Sequence, residues 1–250
     1  MGITNPYKTE ELRQKLAEKG KFPELIKTYS SKYPEIKNLN RPKFWDEIYS
    51  EDSRLKDQDG MTKDRIATAV GFIPGGKLKA LDIGAGLGWV EELIGKDSEK
   101  EIYANDFSPV SVKYLRKNFK GNLQLQSVYN LKYPENFFDV VLALEIIEHV
   151  PPSKIFKVLK SISRILKQNG TLIVSVPLNE GLDKMKNNPS GHVRMYTENL
   201  IKVELKIAGF EIIKCKKLFA FGSFYNLKTF IAKIFKTHSP NNIVLKTKKI

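Results

Sequence analysis

Leu81-Asp82-Ile83-Gly84-Ala85-Gly86-Leu87-Gly88 is the stretch on which the reading of this fold turns. The run Ala80-Leu81-Asp82-Ile83 is short and apolar, ends on glycines and is followed by a helical pattern. That succession is a strand, a tight turn and a helix N-terminus. Glycine lets a ligand approach the main chain closely, and the first turn of a helix presents free N–H groups. A dinucleotide fingerprint would carry a further glycine where this chain has Trp89. Indole cannot give the close helix–strand packing of a glycine, which argues against a nicotinamide dinucleotide.

Strands and helices alternate on the C-terminal side of this loop. Glu101–Asn105 reads as a second strand that ends at Asp106. A carboxylate there can accept both hydroxyls of a ribose, which points to an adenosine-containing ligand. Ser108-Pro109 is an N-cap followed by a first-turn proline, opening a helix through Tyr114, Leu115 and Phe119. Further strands are expected at Leu123–Gln126, Asp139–Leu144 and Thr171–Val176, one starting with Phe210–Ile213, and one at Asn242–Thr247. The fourth is continuously apolar and therefore buried on both faces. Ile155, Leu159, Ile162 and Leu166 mark a helix face that Asn169-Gly170 stops, and Thr197 caps a helix running to Ala208-Gly209. The pattern predicts an α/β, Rossmann-like, seven-stranded, mostly parallel sheet with helices on both faces. Ligands then gather beyond the carboxyl ends of the strands.

Residues 8–50 read as short helices broken by Pro23, Pro34 and Pro42, the last containing Phe44-Trp45-Asp46-Glu47-Ile48-Tyr49. A polar stretch from Ser50 to Gly60 separates them from a helical segment around Thr62–Val70. The expected organisation is an N-terminal helical cap over 1–60 and a main domain over 61–250, with an insert at about 218–240.

The chain has 250 residues, 41% hydrophobic and 28% charged, which is the composition of a globular protein. No stretch approaches the ~20 apolar residues of a membrane-spanning helix, and the N-terminus lacks the layout of a secretory signal. A single cysteine, Cys215, excludes an internal disulfide and a cysteine zinc cluster. These features predict a cytoplasmic protein. The formal net charge is +14, and residues 181–250 supply most of it, with 14 Lys+Arg against 4 Asp+Glu. Such a surface suits phosphates, anionic lipid or an acidic substrate. Only 7 of the 42 basic residues are Arg, the preferred fork for phosphate and base recognition, so nucleic acid is not the favoured partner.

With these motifs in order, the chain resembles the class I S-adenosylmethionine-dependent methyltransferases over roughly residues 79–213. The resemblance rests on Leu81–Gly88, Tyr103-Ala-Asn-Asp106-Phe107-Ser-Pro and Leu131-Lys-Tyr-Pro-Glu-Asn-Phe-Phe-Asp139-Val-Val. Glu148-His149-Val150, Leu166-Lys-Gln-Asn-Gly170 and Ala208-Gly209-Phe210 complete it. It implies S-adenosylmethionine as cofactor, with Asp82 and the backbone of Gly84, Ala85 and Gly86 near its methionine moiety. Asp106 would lie on the ribose and Phe107 on the adenine, with Glu145 also bordering the cofactor. The family usually carries an aspartate after the third strand; this chain has Ser127 there, followed by Val128, a neutral acceptor for the adenine amine.

Methyl transfer is an in-line displacement, and a hydroxyl acceptor also has to lose its proton to a base or bind a cation. The Asn/Asp-Pro-Pro-Tyr/Phe motif of amine methyltransferases is absent, since Leu144-Glu145-Ile146-Ile147 holds its place. Cys215 lies too far downstream to serve as the nucleophile of cytosine-C5 enzymes. On a helical turn, Glu145, Glu148 and His149 would share one face. Their pattern is similar to that of ubiquinone-pathway O-methyltransferases and of small-RNA 3′-terminal ribose methyltransferases. In the latter a downstream histidine completes a magnesium site, a part His192 could play; His149 or His192 could equally be a base. His238, in a basic loop, is expected to be solvated. These residues predict O-methylation of a small-molecule, glycan or lipid-linked acceptor, with RNA ribose methylation or a non-catalytic cofactor-binding protein as alternatives.

Within the insert, Leu227, Phe230, Ile231, Ile234 and Phe235 share a helical face flanked by Lys228, Lys233 and Lys236. The expectation is that this face packs on the sheet or on the N-terminal helices. The alternatives are a lid over an apolar acceptor and a basic helix in peripheral contact with a membrane.

Overall fold

The computed structural model describes residues 4–50, 59–95, 97, 99–185, 187–221 and 224–250. The polar separator expected from Ser50 to Gly60 falls mostly on 51–58, outside the described residues. Seven strands form one sheet: β1 (Leu78–Ile83), β2 (Lys100–Asp106), β3 (Asn122–Leu125), β4 (Phe138–Leu144), β5 (Leu166–Pro177), β6 (Phe210–Leu218) and β7 (Asn242–Lys249). Their order is β3-β2-β1-β4-β5-β7-β6, parallel throughout except that β7 runs antiparallel to both β5 and β6. Chain direction reverses its march across the sheet between β1 and β4, and a crevice opens there at the carboxyl ends.

Alternation along the central strands explains why both faces need helices. Val141 and Ala143 of β4 point into one apolar cluster, with Leu172, Val174 and Val176 of β5. Val140 and Leu142 point into another, with Ile173. The first cluster is closed by α7 (Pro152–Ile165), through Ile155, Val158, Leu159 and Ile162, and by α8 (Glu198–Ile207), through Leu200, Ile201 and Leu205. The second is closed by α4 (Gly60–Gly71), through Ile66 and Ala69, and by α5 (Trp89–Ile94), through Val90 and Ile94. Between β2 and β3 lies α6 (Pro109–Asn118), capped by the Ser108 side chain on the Ser111 amide as its sequence predicts.

One boundary differs from the sequence reading. The helix expected to run to Leu166 ends at Ile165, because the amides of Asn136 and Phe137 donate to the carbonyls of Arg164 and Ile165. Asn169 then takes a left-handed turn (φ 63°) inside the extended segment β5. The sixth strand starts at Phe210 as expected and continues to Leu218, since β7 pairs with it from Phe210 to Leu218.

The N-terminal helices are α1 (Pro6–Glu18), α2 (Phe22–Lys27) and α3 (Pro42–Ser50). A fully buried ionic cluster ties α1 to the segment before α8. Arg194 donates to Glu10 (3.3 Å) and pairs with Glu204, Arg13 pairs with Glu10, and the hydroxyl of Tyr196 donates to Glu204 (3.0 Å). Helix α3 is anchored on α6, where the Asp46 carboxylate accepts from the Ser108 hydroxyl and the Val110 amide.

The insert forms α9 (Tyr225–Phe235), and the expected burial of its apolar face is not what the structure shows. Thr229 and Ala232 face inward while Leu227, Phe230, Ile231, Ile234 and Phe235 are exposed. The cause is polar anchoring on the other side, where Asp64 of α4 accepts from the Tyr225 hydroxyl (3.1 Å) and from Lys216 (2.5 Å).

Candidate functional site: a cofactor cavity at the strand ends

A cavity of about 650 Å³ occupies the crevice between β1 and β4. Asp82, Gly84, Ala85, Gly86, Asp106, Phe107, Ser127, Val128 and Glu145, all expected around a cofactor, line it, as do His149 and His192. Glu148 does not: it lies behind His149, fully buried.

The glycine loop leaves β1 with Gly84 at φ 73° and Gly86 at φ 56°. A Cβ on Gly84 would stand 2.1 Å from Cδ1 of Ile146, so glycine is required twice over there, for conformation and for space. The amides of Gly84 and Ala85 both donate to the Asn105 carbonyl (2.8 and 3.0 Å), which holds the loop against β2. Asp106 accepts from the Gly86 amide through Oδ2 (2.9 Å) and from the Ser108 amide through Oδ1 (2.8 Å). Each oxygen keeps a second lone pair for a ligand. Burial raises the Asp106 pKa, opposed by those backbone amides.

Three carboxyl groups crowd this loop. Burial and then the charge of Glu91 push Asp82 well above the carboxylate range, while burial brings Glu91 up to about 7. Both Glu91 oxygens are buried without a hydrogen-bond partner. Two carboxyls in contact cannot both ionise cheaply, so the pair retains a proton until a cation arrives. A ligand carrying an ammonium and a sulfonium beside an adenosine matches that electrostatic demand.

Tyr49 and Trp45 of α3 form a roof that the sequence placed only generally, in the N-terminal helical cap. The Tyr49 hydroxyl lies 3.2 Å from where a Cβ on Gly86 would be. Burial, then Asp106 and Asp82, raises its pKa well above the ordinary phenol value. Trp45 packs edge-on against His149 (centroids 4.9 Å apart) and donates to Asn40 Oδ1 (3.2 Å). Arg65 of α4 was also missed. It pairs with Glu145 (3.3 Å), lines the cavity and has its Nε buried without a partner. No motif marks residues such as these, because their relation to the loop exists only after folding.

The expected helical face joining Glu145, Glu148 and His149 is corrected by the structure. Glu145 takes a left-handed conformation (φ 55°), and its carboxylate accepts from Ser175 (2.7 Å) and Asn242 (3.0 Å). Only Glu148 and His149 enter the 3₁₀ turn that follows. His192 joins them instead, its ring centroid 4.8 Å from that of His149. His149 Nδ1 lies 3.3 Å from the Gly191 carbonyl, and His192 Nδ1 lies 2.7 Å from Glu180 Oε2. Donation from both Nδ1 atoms leaves both Nε2 lone pairs free. Burial and the neighbouring His192 lower the His149 pKa to about 3, so that ring is neutral. Glu148 has both oxygens unpartnered, and burial raises its pKa. Ligand atoms of Glu148, His149 and His192 all lie within 4.8 Å of one another. His238 is exposed, as expected.

A model of a methyltransferase domain matches residues 81–174, the span from the glycine loop into β5. That span carries the glycine loop, Asp106 and β4, so the likeness to a methyltransferase domain covers the part of the chain that builds the cavity. The chain is 29% identical over 161 residues to an uncharacterized protein of Methanocaldococcus jannaschii, covering 64% of this chain and 62% of that protein. It is 26% identical over 141 residues to the 2-methyl-6-phytyl-1,4-hydroquinone methyltransferase of Synechocystis, covering 48% and 44%. The matches thus span less than two thirds of either relative. In fold it is similar to the 1,6-didemethyltoxoflavin-N1-methyltransferase of Burkholderia thailandensis, solved with S-adenosylhomocysteine bound (TM-score 0.63, 17% identity, 87% of this chain and 94% of that one). The carboxyl cluster around the glycine loop fits a ligand of the kind bound in that structure, with an ammonium group beside an adenosine.

Proposed function

We propose that the protein transfers the methyl group of S-adenosylmethionine to a hydroxyl oxygen of a small-molecule, glycan or lipid-linked acceptor, with His192 as the base. The observation that carries this reading is that His192 lines the cavity while its Nδ1 is held 2.7 Å from Glu180 Oε2. When bound, the cofactor supplies an electrophilic methyl group on sulfur. Asp106 would take the ribose hydroxyls, the Asp82–Glu91 pair would face the amino group, and Arg65 Nε would meet the carboxylate. Phe107 would cover the adenine, with Ser127 and Val128 at its edge. Trp45 and Tyr49 would keep water from the reacting atoms.

His192 Nε2 takes the acceptor's proton as its oxygen bonds to the methyl carbon; Glu180 holds the tautomer and stabilises the imidazolium. His149, neutral and packed beside it, shapes the acceptor end. His192→Gln should lower turnover by about 10²-fold or more with S-adenosylhomocysteine affinity unchanged. Full turnover of hydroxyl acceptors by that variant would overturn the assignment. Failure of the native protein to form S-adenosylhomocysteine with any acceptor pool would instead support a binding protein. Affinity for RNA that falls steeply with salt would move the acceptor to a ribose hydroxyl.

The unpartnered Glu148 oxygens favour a second reading, a divalent cation held by Glu148, His149 and His192. It would lower the pKa of the acceptor hydroxyl in place of the base. Activity abolished by a chelator and restored by magnesium or another divalent ion distinguishes the two.

A further inference from the structure

We infer that α9 is a docking helix for an anionic bilayer surface. Most surface helices turn an apolar stripe inward, and α9 does the reverse. Tyr225, Thr229 and Ala232, spaced i, i+4, i+7, face α4, with Thr229 and Ala232 buried. Leu227, Phe230, Ile231 and Ile234, spaced i, i+3, i+4, i+7, occupy the opposite side. Leu227 is 59% exposed, Phe230 61% and Ile234 54%, and Phe224 and Phe235 at the helix ends reach 75% and 69%. An outward apolar face of that size on one three-turn helix marks an interaction surface.

Charge selects the occupant. Residues 212–250 hold nine lysines and no Asp or Glu. Lys228 and Lys233 border the apolar face and Lys236 follows the helix; all three are exposed, and no ion pair engages them among the described residues. Lysine can lay its methylene stem along an apolar surface while its ammonium reaches outward. Apolar residues facing out with lysines along their borders suit acyl chains below and anionic headgroups beside them. A nucleic acid would use the lysines but leave the aliphatic face without a partner. A second copy of the chain would bring the same uncompensated positive charge against it.

The anchoring of the helix fits the role. Asp64 holds Tyr225 from α4, and the adjacent Arg65 lines the cofactor cavity, so one helix connects the docking face with the site. The inference uses only surface residues outside that cavity and stands apart from the choice of acceptor.

The test is co-sedimentation of the full chain with phosphatidylcholine vesicles, with and without phosphatidylglycerol. The native protein should pellet with the phosphatidylglycerol vesicles and stay in solution with pure phosphatidylcholine. The triple variant Leu227→Ser, Phe230→Ser, Ile234→Ser should lose binding by about tenfold or more, since three large apolar groups are removed. Lys228→Gln, Lys233→Gln, Lys236→Gln should also weaken it, and S-adenosylhomocysteine affinity should stay unchanged in both variants as the control for folding. The inference is overturned by native protein that ignores phosphatidylglycerol vesicles, or by vesicle binding that survives the serine substitutions. A dimer in gel filtration that those substitutions dissociate would overturn it in favour of a second copy. RNA binding that depends on the lysines but not on the apolar residues, without vesicle binding, would likewise overturn it.

Discussion

Asp106 does two jobs with one carboxylate. Its oxygens hold the amides of Gly86 and Ser108, fixing the glycine loop against the start of α6, and their remaining lone pairs face the cavity. Asp106→Ala should weaken S-adenosylhomocysteine binding by about 1.5–3 kcal/mol, through lost charge-assisted hydrogen bonds and a looser loop. Calorimetric affinity equal to that of the native protein would remove Asp106 from the cofactor site. The carboxylate was legible in the sequence, since it ends the strand that comes next after the glycine loop. Arg65 and Tyr49 were not legible. An arginine on a helix and a tyrosine at a helix end are ordinary surface residues until packing turns them toward the loop.

Elements show the same division. Strands with continuous apolar runs, such as Val140–Leu144 of β4, could be placed from the sequence because burial on both faces leaves no polar position along that run. Helix α9 could not, since an apolar stripe reveals amphipathicity but not which way the stripe faces. The anchoring of α1 was also invisible, because Glu10 and Arg194 are 184 positions apart. Their cluster contains two arginines and two glutamates with no exposure. Glu10→Ala should therefore cost about 3–5 kcal/mol in denaturant unfolding, the penalty for leaving a buried guanidinium uncompensated. Because Arg194 follows His192 by two residues, the variant should also lower turnover. Unfolding midpoints equal to the native value would show that the cluster adds nothing to stability.

At the scale of the whole molecule, the carboxyl crowding around the glycine loop links folding, pH and cofactor. Glu91 titrates near 7 when folded against an ordinary 4.5, because burial disfavours its charge. A raised carboxyl pKa means the folded state holds a proton the unfolded chain has released. Its contribution is fully present below about pH 4.5 and is lost as pH rises through 7. The effect on the cofactor-free protein is on the order of 3 kcal/mol across that window. A cation in the cavity favours the ionised carboxylate, so S-adenosylhomocysteine binding between pH 6 and about 7 should release protons. Calorimetry in buffers of different ionisation enthalpy measures this, and Glu91→Gln should reduce it to what the buried Asp82 alone releases. Proton uptake on binding would contradict the arrangement.

By itself the sequence determined the sheet, the loop at its switch point and the acidic residue that ends β2. These depend on periodicity, on left-handed backbone positions and on spacing along one strand–turn–helix unit, all of which are local. Only the tertiary structure decided that Glu145 turns away from Glu148 and His149, that His192 takes its place beside them, and that α9 presents its apolar face to the outside. Those outcomes depend on partners far along the chain: Ser175 and Asn242 for Glu145, Glu180 for His192, Asp64 for α9. The energy of such contacts belongs to pairs of residues that no local pattern brings together.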